Sequence, residues 1–383
     1  MRLWLREMIP VAEAIQRYGQ LVQNRPDTAL SFLADSLSLD SARSHILGKR
    51  AESLEAASEA VSLYRQLAGK QPVAFTQNLA AALSAYGVCL VTIGKPEKAV
   101  AALEESITLY RQLAKQRPEA MQPDLAMALN NYRGMLSTVG QMENALATVR
   151  ESVEIYRSLV KTRPESFKHD LAMVLHNNAS MLDKVGRLEE AVEAAGEATS
   201  IYRDLKKGRP ESFLMELSTS LSTYGYLLNK VGRRVEALAA TSESIEMFRP
   251  LSETQADVFH PPHASLLANY GGTFASLGRW EEALQATGES VEIWRKLAQQ
   301  WPDAHLPDLA KSLNSYMICL VNAGQPEKAA TAGQEAVRIY RQLAENLPDA
   351  FLPELANSLA LLGTLGVCQS ENTGSSAPRP PCQ

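Results

Sequence analysis

Residues 75–118 read FTQNLAAALSAYGVCLVTIGKPEKAVAALEESITLYRQLAKQRP, and variants of this stretch follow one another with a period of 46 residues. The period is clearest in a pair formed by an aromatic residue and an arginine. This pair occurs at Tyr64-Arg65, Tyr110-Arg111, Tyr156-Arg157, Tyr202-Arg203, Phe248-Arg249, Trp294-Arg295 and Tyr340-Arg341. A fixed period in this range is typical of a solenoid, in which each unit packs only against its neighbours. The 383 residues are therefore predicted to form one elongated repeat array rather than several globular domains.

Four further residue types recur with the same period of 46 residues, and no insertion or deletion is needed to align them. Glycine recurs at Gly48, Gly94, Gly140, Gly186, Gly232, Gly278 and Gly324. Leucine recurs at Leu37, Leu83, Leu129, Leu175, Leu221, Leu267, Leu313 and Leu359. Glutamate recurs at Glu13, Glu59, Glu105, Glu151, Glu197, Glu243, Glu289 and Glu335. Proline recurs at Pro26, Pro72, Pro118, Pro164, Pro210, Pro302 and Pro348, and Ala256 replaces it once.

The spacing of apolar residues predicts two helices in the quoted unit. In its first half, leucines such as Leu83 and Leu90 follow helical spacing, and Gly94 ends that helix. Pro96 suits the first turn of the second helix, and Pro118 is expected to end it. Each unit is thus predicted to contain helix A, a short turn, helix B and a short linker. Each helix should have roughly 17–20 residues and a length of about 25–30 Å.

Small residues indicate that the two helices of each unit approach closely. Alanine holds one column of helix B at Ala99, Ala145, Ala191, Ala237, Ala283 and Ala329. A matching column of glycine or alanine lies on helix A at Gly87, Ala179, Gly225, Gly271 and Gly363. Arg133 and Met317 interrupt the helix A column. Small side chains at facing positions predict a tightly packed helical hairpin.

These columns resemble the tetratricopeptide repeat. The residues that carry the resemblance are Leu83, Gly87, Leu90, Gly94, Ala99, Leu103 and Ser106, whose types and spacing match the family's. The 46-residue unit is longer than the family's usual repeat of about 34 residues. In this respect it resembles the kinesin-light-chain branch, and still more the long repeats attached to fungal and bacterial signalling ATPases. The resemblance covers about residues 10–368 and implies an all-α fold, a right-handed α-α superhelix of helical hairpins.

The repeat columns divide the chain into four segments. Residues 1–24 are expected to be a partial first repeat with helix B only, and residues 25–350 an array of seven hairpins. Residues 351–368 are expected to be a lone helix A, followed by a disordered tail at residues 369–383. No polar capping unit is visible at either end. Either the uncapped terminal helices associate with each other end to end, or the chain is a piece of a longer protein.

The bulk composition disfavours several classes of partner. The net charge of −5 does not indicate binding to nucleic acid or to an acidic membrane. The four cysteines, Cys89, Cys319, Cys368 and Cys382, form no CxxC pair, which fits a reducing compartment. The first ten residues lack the apolar run of a signal peptide, and no apolar stretch of about 20 residues indicates a membrane span. The cytoplasm is therefore the expected location.

No motif in the sequence predicts catalysis. There is neither a G-x-x-x-x-G-K-[S/T] phosphate loop nor a G-x-S-x-G elbow. Among the six histidines only His260 and His263 are close in sequence, and their neighbours Pro261 and Pro262 favour a solvated, proline-rich linker over a metal site. The arginine and glutamate columns are expected to form ion pairs within the array or to be solvated. We expect no enzymatic activity and no cofactor.

Asparagines on helix A are the best candidates for a binding site. In kinesin-light-chain-like repeats, asparagines after the core leucine face the concave groove and bind the backbone of a cargo peptide. The resemblance extends this role to Asn130, Asn131, Asn177, Asn178, Asn269 and Asn314, with Tyr226, Lys184 and Lys230 nearby in the groove. A carboxamide suits an extended peptide because it offers a donor and an acceptor together. Ala85, Thr223 and Ser315 interrupt this ladder, and the alternative role of the amides is to bond neighbouring helices.

The sequence therefore favours a non-catalytic scaffold that holds a peptide or protein partner along its concave face. An alternative is the sensor arm of a multidomain signalling ATPase or caspase-like protein. A third reading, RNA binding by helical repeats, is disfavoured by the acidic charge.

Overall fold

The computed structural model describes residues 11–24, 26–208, 213–254 and 256–372, in which every regular element is a helix. The chain divides into two compact units, an N-terminal unit (residues 1–187) and a C-terminal unit (residues 188–383). The N-terminal unit contains α1 (Val11–Asn24), α2 (Pro26–Ile46), α3 (Arg50–Lys70), α4 (Pro72–Thr92), α5 (Pro96–Gln116), α6 (Pro118–Thr138), α7 (Met142–Thr162) and α8 (Pro164–Lys184). The C-terminal unit contains α9 (Leu188–Gly208), α10 (Leu214–Lys230), α11 (Arg234–Thr254), α12 (Ala256–Ser276), α13 (Trp280–Gln300), α14 (Pro302–Asn322), α15 (Pro326–Asn346) and α16 (Pro348–Asn372).

Within each unit, every helix packs against the next one along the chain. Even-numbered helices correspond to the predicted helix A and odd-numbered helices to helix B. Each unit is therefore an all-α solenoid of helical hairpins, which confirms the fold class predicted from the period.

Pro118 stands just after the end of α5, as expected, and the column prolines also start the next helix A. Pro72, Pro118 and Pro164 each occupy the first turn of a helix A, where a missing N–H breaks no hydrogen bond. The linker between helix B and the next helix A is consequently a single residue, such as Gln71 or Arg117. Most helices have 21 residues, so the extra length of the repeat lies in the helices. The expectation of 17–20 residues and a separate linker was wrong on this point.

The turn between helix A and helix B depends on the glycine column. All seven column glycines have φ between 72° and 80°, a conformation that other residues rarely adopt. After α4, the Gly94 N–H bonds the Val91 carbonyl at 2.9 Å and the Lys95 N–H bonds the Leu90 carbonyl at 3.0 Å. These two bonds satisfy carbonyl groups at the end of helix A, in the manner of a Schellman motif.

The predicted core columns are buried. The six column alanines on helix B are fully enclosed, and the aromatic residues of the aromatic–arginine pairs are at most 5% exposed. Leu359 of α16 is the exception among the column leucines, with 41% of its surface exposed. No helix among the described residues packs over that face of α16, which explains the difference.

A small residue on one helix of a hairpin faces a large residue on the other, and which helix carries the small residue differs between hairpins. A Cβ atom added at Gly87 would lie 2.7 Å from Cγ of Leu103 on the following helix B. The order is reversed later in the chain, where a Cβ atom at Gly333 would lie 2.5 Å from Sδ of Met317. Met317 therefore does not break the close approach of the helices, because the small residue has moved to helix B.

The arginine and glutamate columns form ion pairs between successive B helices. The pairs are Arg65–Glu105, Arg111–Glu151, Arg203–Glu243 and Arg295–Glu335. In the second pair, Nη2 of Arg111 lies 2.6 Å from Oε2 of Glu151. Seven of these eight side chains are exposed and Glu335 is half-buried, so each pair contributes about 0–1 kcal/mol. The prediction of ion pairs within the array is confirmed.

The segment around His263 differs from the sequence expectation. Pro261 and Pro262 lie inside α12 instead of forming a linker. The His263 side chain is 3% exposed, its Nδ1 lies 2.8 Å from Oγ of Ser252, and its ring packs beside Phe248. The expectation of two solvated histidines in a linker was wrong, because α12 continues through the prolines and turns His263 toward α11.

Helix α4 has the length and the apolar composition of a membrane-crossing helix, which the sequence analysis did not recognise. The helix packs between α3 and α5, and its Leu79, Leu83 and Leu90 side chains are buried. Its apolar composition is thus accounted for by the core of the N-terminal unit.

Helix α16 is longer than expected. The repeat columns predicted a disordered tail at residues 369–383, whereas α16 ends at Asn372. Residues 369–372 contain neither proline nor glycine, so nothing in the local sequence ends the helix earlier. The remainder of the expected tail and the first ten residues lie outside the described part of the chain.

We predict that Gly87→Ala destabilises the N-terminal unit by about 1–3 kcal/mol, because the new methyl group overlaps Leu103. In a Leu103→Ala background the same change should stabilise by up to about 1 kcal/mol, since only the higher helix propensity of alanine remains. Urea unfolding of the four variants measures both values. Gly134→Ala is the matched control, because a Cβ atom there meets nothing within 4 Å. An equal effect of Gly87→Ala in both backgrounds would show that contact with Leu103 does not restrict the size of residue 87.

We also predict a loss of stability in acid that originates at His263. Burial lowers the pKa of His263 from 6.5 to about 4, and the charges of Arg249 and His260 act in the same direction. The unfolded chain takes up this proton near pH 6.5, whereas the folded chain resists until about pH 4. Stability is therefore present above about pH 6.5 and falls by roughly 2–4 kcal/mol as the pH approaches 4.

Unfolding experiments at about pH 7 and about pH 4.5 test this assignment. His263→Gln, which cannot titrate in this range, should lose less stability between the two pH values than the wild type. The exposed His169→Asn serves as the control. Identical losses in His263→Gln and the wild type would exclude His263 as the source.

Candidate functional site

The candidate asparagines lie on the A helices, as the sequence predicted, but they fall into two groups. The N-terminal unit carries Asn130 and Asn131 on α6, with Asn177, Asn178 and Lys184 on α8. The C-terminal unit carries Tyr226 and Lys230 on α10, Asn269 on α12 and Asn314 on α14. We use the term A-helix face for the surface that the even-numbered helices present within one unit.

In the N-terminal unit, two hydrogen bonds join the neighbouring A helices α6 and α8. Nδ2 of Asn177 donates to Oδ1 of Asn130 at 2.8 Å, and Nζ of Lys184 donates to Oγ of Ser137 at 2.9 Å. The two bonds are separated by seven residues on each helix, which corresponds to about 10 Å. They hold the two helices in one register along this distance.

Further polar residues, Arg133 and His176, lie on α6 and α8 near these bonds. The polar residues on α6 are spaced by three and four positions, so they share one side of that helix. We call this polar surface the α6–α8 strip, formed by Asn130, Arg133, Ser137, His176, Asn177 and Lys184.

The carboxamides of the N-terminal unit differ in their access to solvent. Asn130 and Asn178 are buried, with 7% and 9% of their surface exposed, and Oδ1 of Asn178 is enclosed without a hydrogen-bond partner. Asn131 and Asn177 are half-buried. Asn131 and Asn177 are thus the two carboxamides that an approaching molecule can reach.

Two basic side chains of the α6–α8 strip have pKa values below their ordinary range. Burial lowers the pKa of His176, and the charge of Arg133 lowers it further. Burial also lowers the pKa of Arg133 from its usual range. At neutral pH His176 is therefore neutral, and the positive charges of the strip belong to Arg133 and Lys184.

In the C-terminal unit, similar bonds connect neighbouring A helices. Nδ2 of Asn269 donates to Oγ of Ser222 at 2.8 Å, and Nδ2 of Asn314 donates to Oγ of Ser358 at 2.6 Å. Asn269 remains exposed. The Tyr226 ring is 42% exposed, and Nζ of Lys230 lies 5.3 Å from its centroid. This face offers an amide, an aromatic ring and a cation to solvent.

The bridges explain why the asparagine ladder looked interrupted in the sequence. The bonds Asn130–Asn177 and Ser222–Asn269 both join residues 47 positions apart, one more than the repeat period. These two bridges therefore pair one sequence column with the next column of the following repeat, whereas the Asn314–Ser358 bridge joins residues 44 positions apart. Serine partners such as Ser222 were missed because a search at a fixed step of 46 cannot reveal this shift between helices.

The chemistry of the two faces is that of hydrogen-bonding and charged groups. Each bridging carboxamide keeps one N–H and further acceptor capacity for another molecule. The thiols of Cys89 and Cys319 are buried, and burial raises the pKa of Cys319. In the described ranges there is no group of three His, Cys, Asp or Glu side chains placed to hold a metal ion.

Comparisons with known proteins give two kinds of result. The sequence profile of the family described as Anaphase-promoting complex subunit 5 matches residues 18–86, 76–117 and 159–221, which together make up less than half of the chain. A search among curated proteins gave no match.

Solved structures resemble the chain more extensively. BtubC (BKLC) from P. vanneervenii has a TM-score of 0.52 and 17% identity, over 66% of this chain and 92% of that one. A signal transduction ATPase with a tetratricopeptide repeat sensor from Pyrococcus horikoshii has a TM-score of 0.55 and 13% identity, over 89% of this chain and 48% of that one. The repeats of a putative kinesin light chain from Podosopora anserina have a TM-score of 0.45 and 17% identity, over 58% of this chain and 96% of that one.

These identities are low, so the likeness establishes the fold alone. The chain has the fold of tetratricopeptide-repeat proteins, and the resemblance read from the repeat columns is confirmed at that level.

We predict that the Asn130–Asn177 bridge has a measurable coupling energy. A double-mutant cycle with Asn130→Ala and Asn177→Ala should give about 0.5–1.5 kcal/mol, the usual net value of one hydrogen bond. The free energies of unfolding come from urea titrations of the four proteins. A second cycle that pairs Asn177 with Asn144 of α7, whose amide bonds Gln141, should give a coupling near zero. Strict additivity in both cycles would show that the bridge does not order α6 against α8.

Proposed function

We propose that this chain is a non-catalytic interaction scaffold that holds an extended peptide, or an extended segment of a protein, along its A-helix face. The observation that carries the proposal is the set of reachable carboxamides, two of which are held in place by bonds between neighbouring A helices. An amide fixed before binding loses little conformational freedom when a ligand arrives. It also offers the paired donor and acceptor that a peptide backbone requires.

Each unit would offer its own binding surface. In the N-terminal unit, Asn131 and Asn177 would bond the peptide backbone beside the charges of Arg133 and Lys184. In the C-terminal unit, Asn269 would bond the backbone, and the exposed ring of Tyr226 would pack against a ligand side chain. Several modest contacts within one unit would add up through their high effective concentration.

The scaffold is proposed to act in the cytoplasm on a protein partner, without a nucleic acid or a membrane. The net charge of −5 and the buried free thiols of Cys89 and Cys319 support this assignment.

Selection of peptides from a displayed random library on the immobilised full-length chain tests the proposal. The triple variant Asn131→Ala, Asn177→Ala, Asn269→Ala should bind the selected peptides at least about tenfold more weakly, since each lost amide bond removes about 0.5–1.5 kcal/mol. Asn144→Ala on helix B is the matched control. Retained affinity in the triple variant would show that the A-helix face is not the binding surface.

A second variant separates binding from stability, because Asn177 and Asn269 also bond neighbouring helices. Asn131 takes part in neither bridge of the α6–α8 strip. Asn131→Tyr should block the face sterically and leave the melting temperature and the helical circular dichroism unchanged. Full binding by this variant would contradict the proposed position of the peptide.

A second candidate function follows from the likeness to the Pyrococcus horikoshii signalling ATPase. The chain spans about half the length of that protein, and the similarity covers 89% of the present chain. In this reading the repeats are the sensor arm of a larger signalling ATPase or caspase-like protein. The coding sequence on either side discriminates the two functions, because an ATPase or protease domain in the same reading frame would favour the sensor.

A further inference from the structure

Arg133 is an anomaly in the column of small residues on helix A. The column contains Gly87, Ala179, Gly225, Gly271 and Gly363, whose small size lets the helices approach. The other large member of the column, Met317, has room for its side chain because Gly333 stands on the facing helix. Arg133 is the one charged residue in this column. Packing between helices therefore does not explain why an arginine stands there.

The side chain of Arg133 is also without an anionic partner in the described structure. Its Nε atom is enclosed and has no hydrogen-bond acceptor. The arginines of the aromatic–arginine pairs behave differently, since Arg65 and Arg111 each form an ion pair with a glutamate of the next helix B. An enclosed donor without an acceptor is unfavourable for the free protein. Such a group is expected where binding of another molecule supplies the acceptor.

The surroundings of Arg133 favour an anion over other ligands. His176 is neutral at ordinary pH, and the nearby Asn177 carboxamide can donate a second hydrogen bond. The carboxylate of Glu104 already accepts a hydrogen bond of 2.6 Å from the Tyr132 hydroxyl.

At the far end of the strip, Nζ of Lys184 already donates a hydrogen bond to Oγ of Ser137. Arg133 is therefore the cation of the α6–α8 strip that has an enclosed N–H without an acceptor. A single guanidinium matches one carboxylate in charge and in planar geometry.

We propose that Arg133 binds a carboxylate of the segment held on the A-helix face of the N-terminal unit. This inference rests on the proposed function and gives it a ligand class, an acidic peptide. The carboxylate accepts hydrogen bonds from the guanidinium, including the enclosed Nε–H when the side chain turns toward it. Its source is either an Asp or Glu side chain or the free C-terminus of the partner, and both present the same chemistry to Arg133.

A stability measurement separates this role from a structural one. Arg133→Met keeps the length of the side chain and removes the unpaired charge, so the melting temperature of the full chain should rise. Arg111→Met, which removes an arginine paired with Glu151, is the control and should not raise it. A lower melting temperature for Arg133→Met would show that the arginine supports the fold, and it would overturn the proposal.

A binding measurement tests the ligand class. Random peptides are displayed in two formats, one with both ends blocked and one with a free C-terminus, and are selected on the immobilised full-length chain. Selected peptides should carry Asp or Glu at one position, or should bind only with a free C-terminus, and these two results distinguish the two sources. Neutralising that carboxylate should weaken binding at least about tenfold, the effect of losing a charge-assisted hydrogen bond.

The same peptides identify Arg133 as the binding residue. Arg133→Met should weaken binding at least about tenfold, and neutralising the peptide carboxylate should have no further effect in this variant. Arg111→Met should bind like the wild type. Selected peptides that bind Arg133→Met with unchanged affinity would overturn this inference and leave the scaffold function intact. A library that yields no binder in either format would count against both.

Discussion

The close contact between the two helices of each hairpin is the constraint on which the rest of the structure depends. Fully enclosed alanines on helix B and small residues on helix A bring the two backbones together. The larger residue can stand on either helix, since Gly87 faces Leu103 whereas Met317 faces Gly333. A hairpin with this spacing presents the same apolar surfaces to its neighbours each time. The repeats of one unit can therefore stack without adjustment.

The short connections carry this regularity from one hairpin to the next. A glycine at positive φ turns helix A into helix B, and one residue followed by proline turns helix B into the next helix A. Such connections leave little freedom in the register between successive A helices. The amide of Asn177 consequently meets Asn130, and the amide of Asn269 meets Ser222. The polar A-helix faces are thus a result of backbone geometry that the apolar core determines.

The polar groups of these faces differ in how they are satisfied. The bridging asparagines have partners within the chain, so they are ordered before any ligand arrives. Arg133 has an enclosed Nε atom without a partner, which is unfavourable for the free protein. In the scaffold proposed above, the ordered amides and Arg133 would together select an acidic segment. The amides alone would not distinguish one peptide backbone from another.

The sequence by itself determined the all-α hairpin repeat, the glycine turns and the buried columns, and it offered arginine–glutamate pairs as one of two alternatives. These features depend on local helical spacing or on a contact repeated at a constant step, and both are visible in a period of 46. The sequence also indicated which helices carry the candidate asparagines. Only the tertiary structure decided that prolines such as Pro118 start helices, that His263 is buried, that rungs join residues 47 apart and that Nε of Arg133 is enclosed. Each of these depends on which atoms of another helix come near in space, and the spacing of residues along the chain does not contain that information.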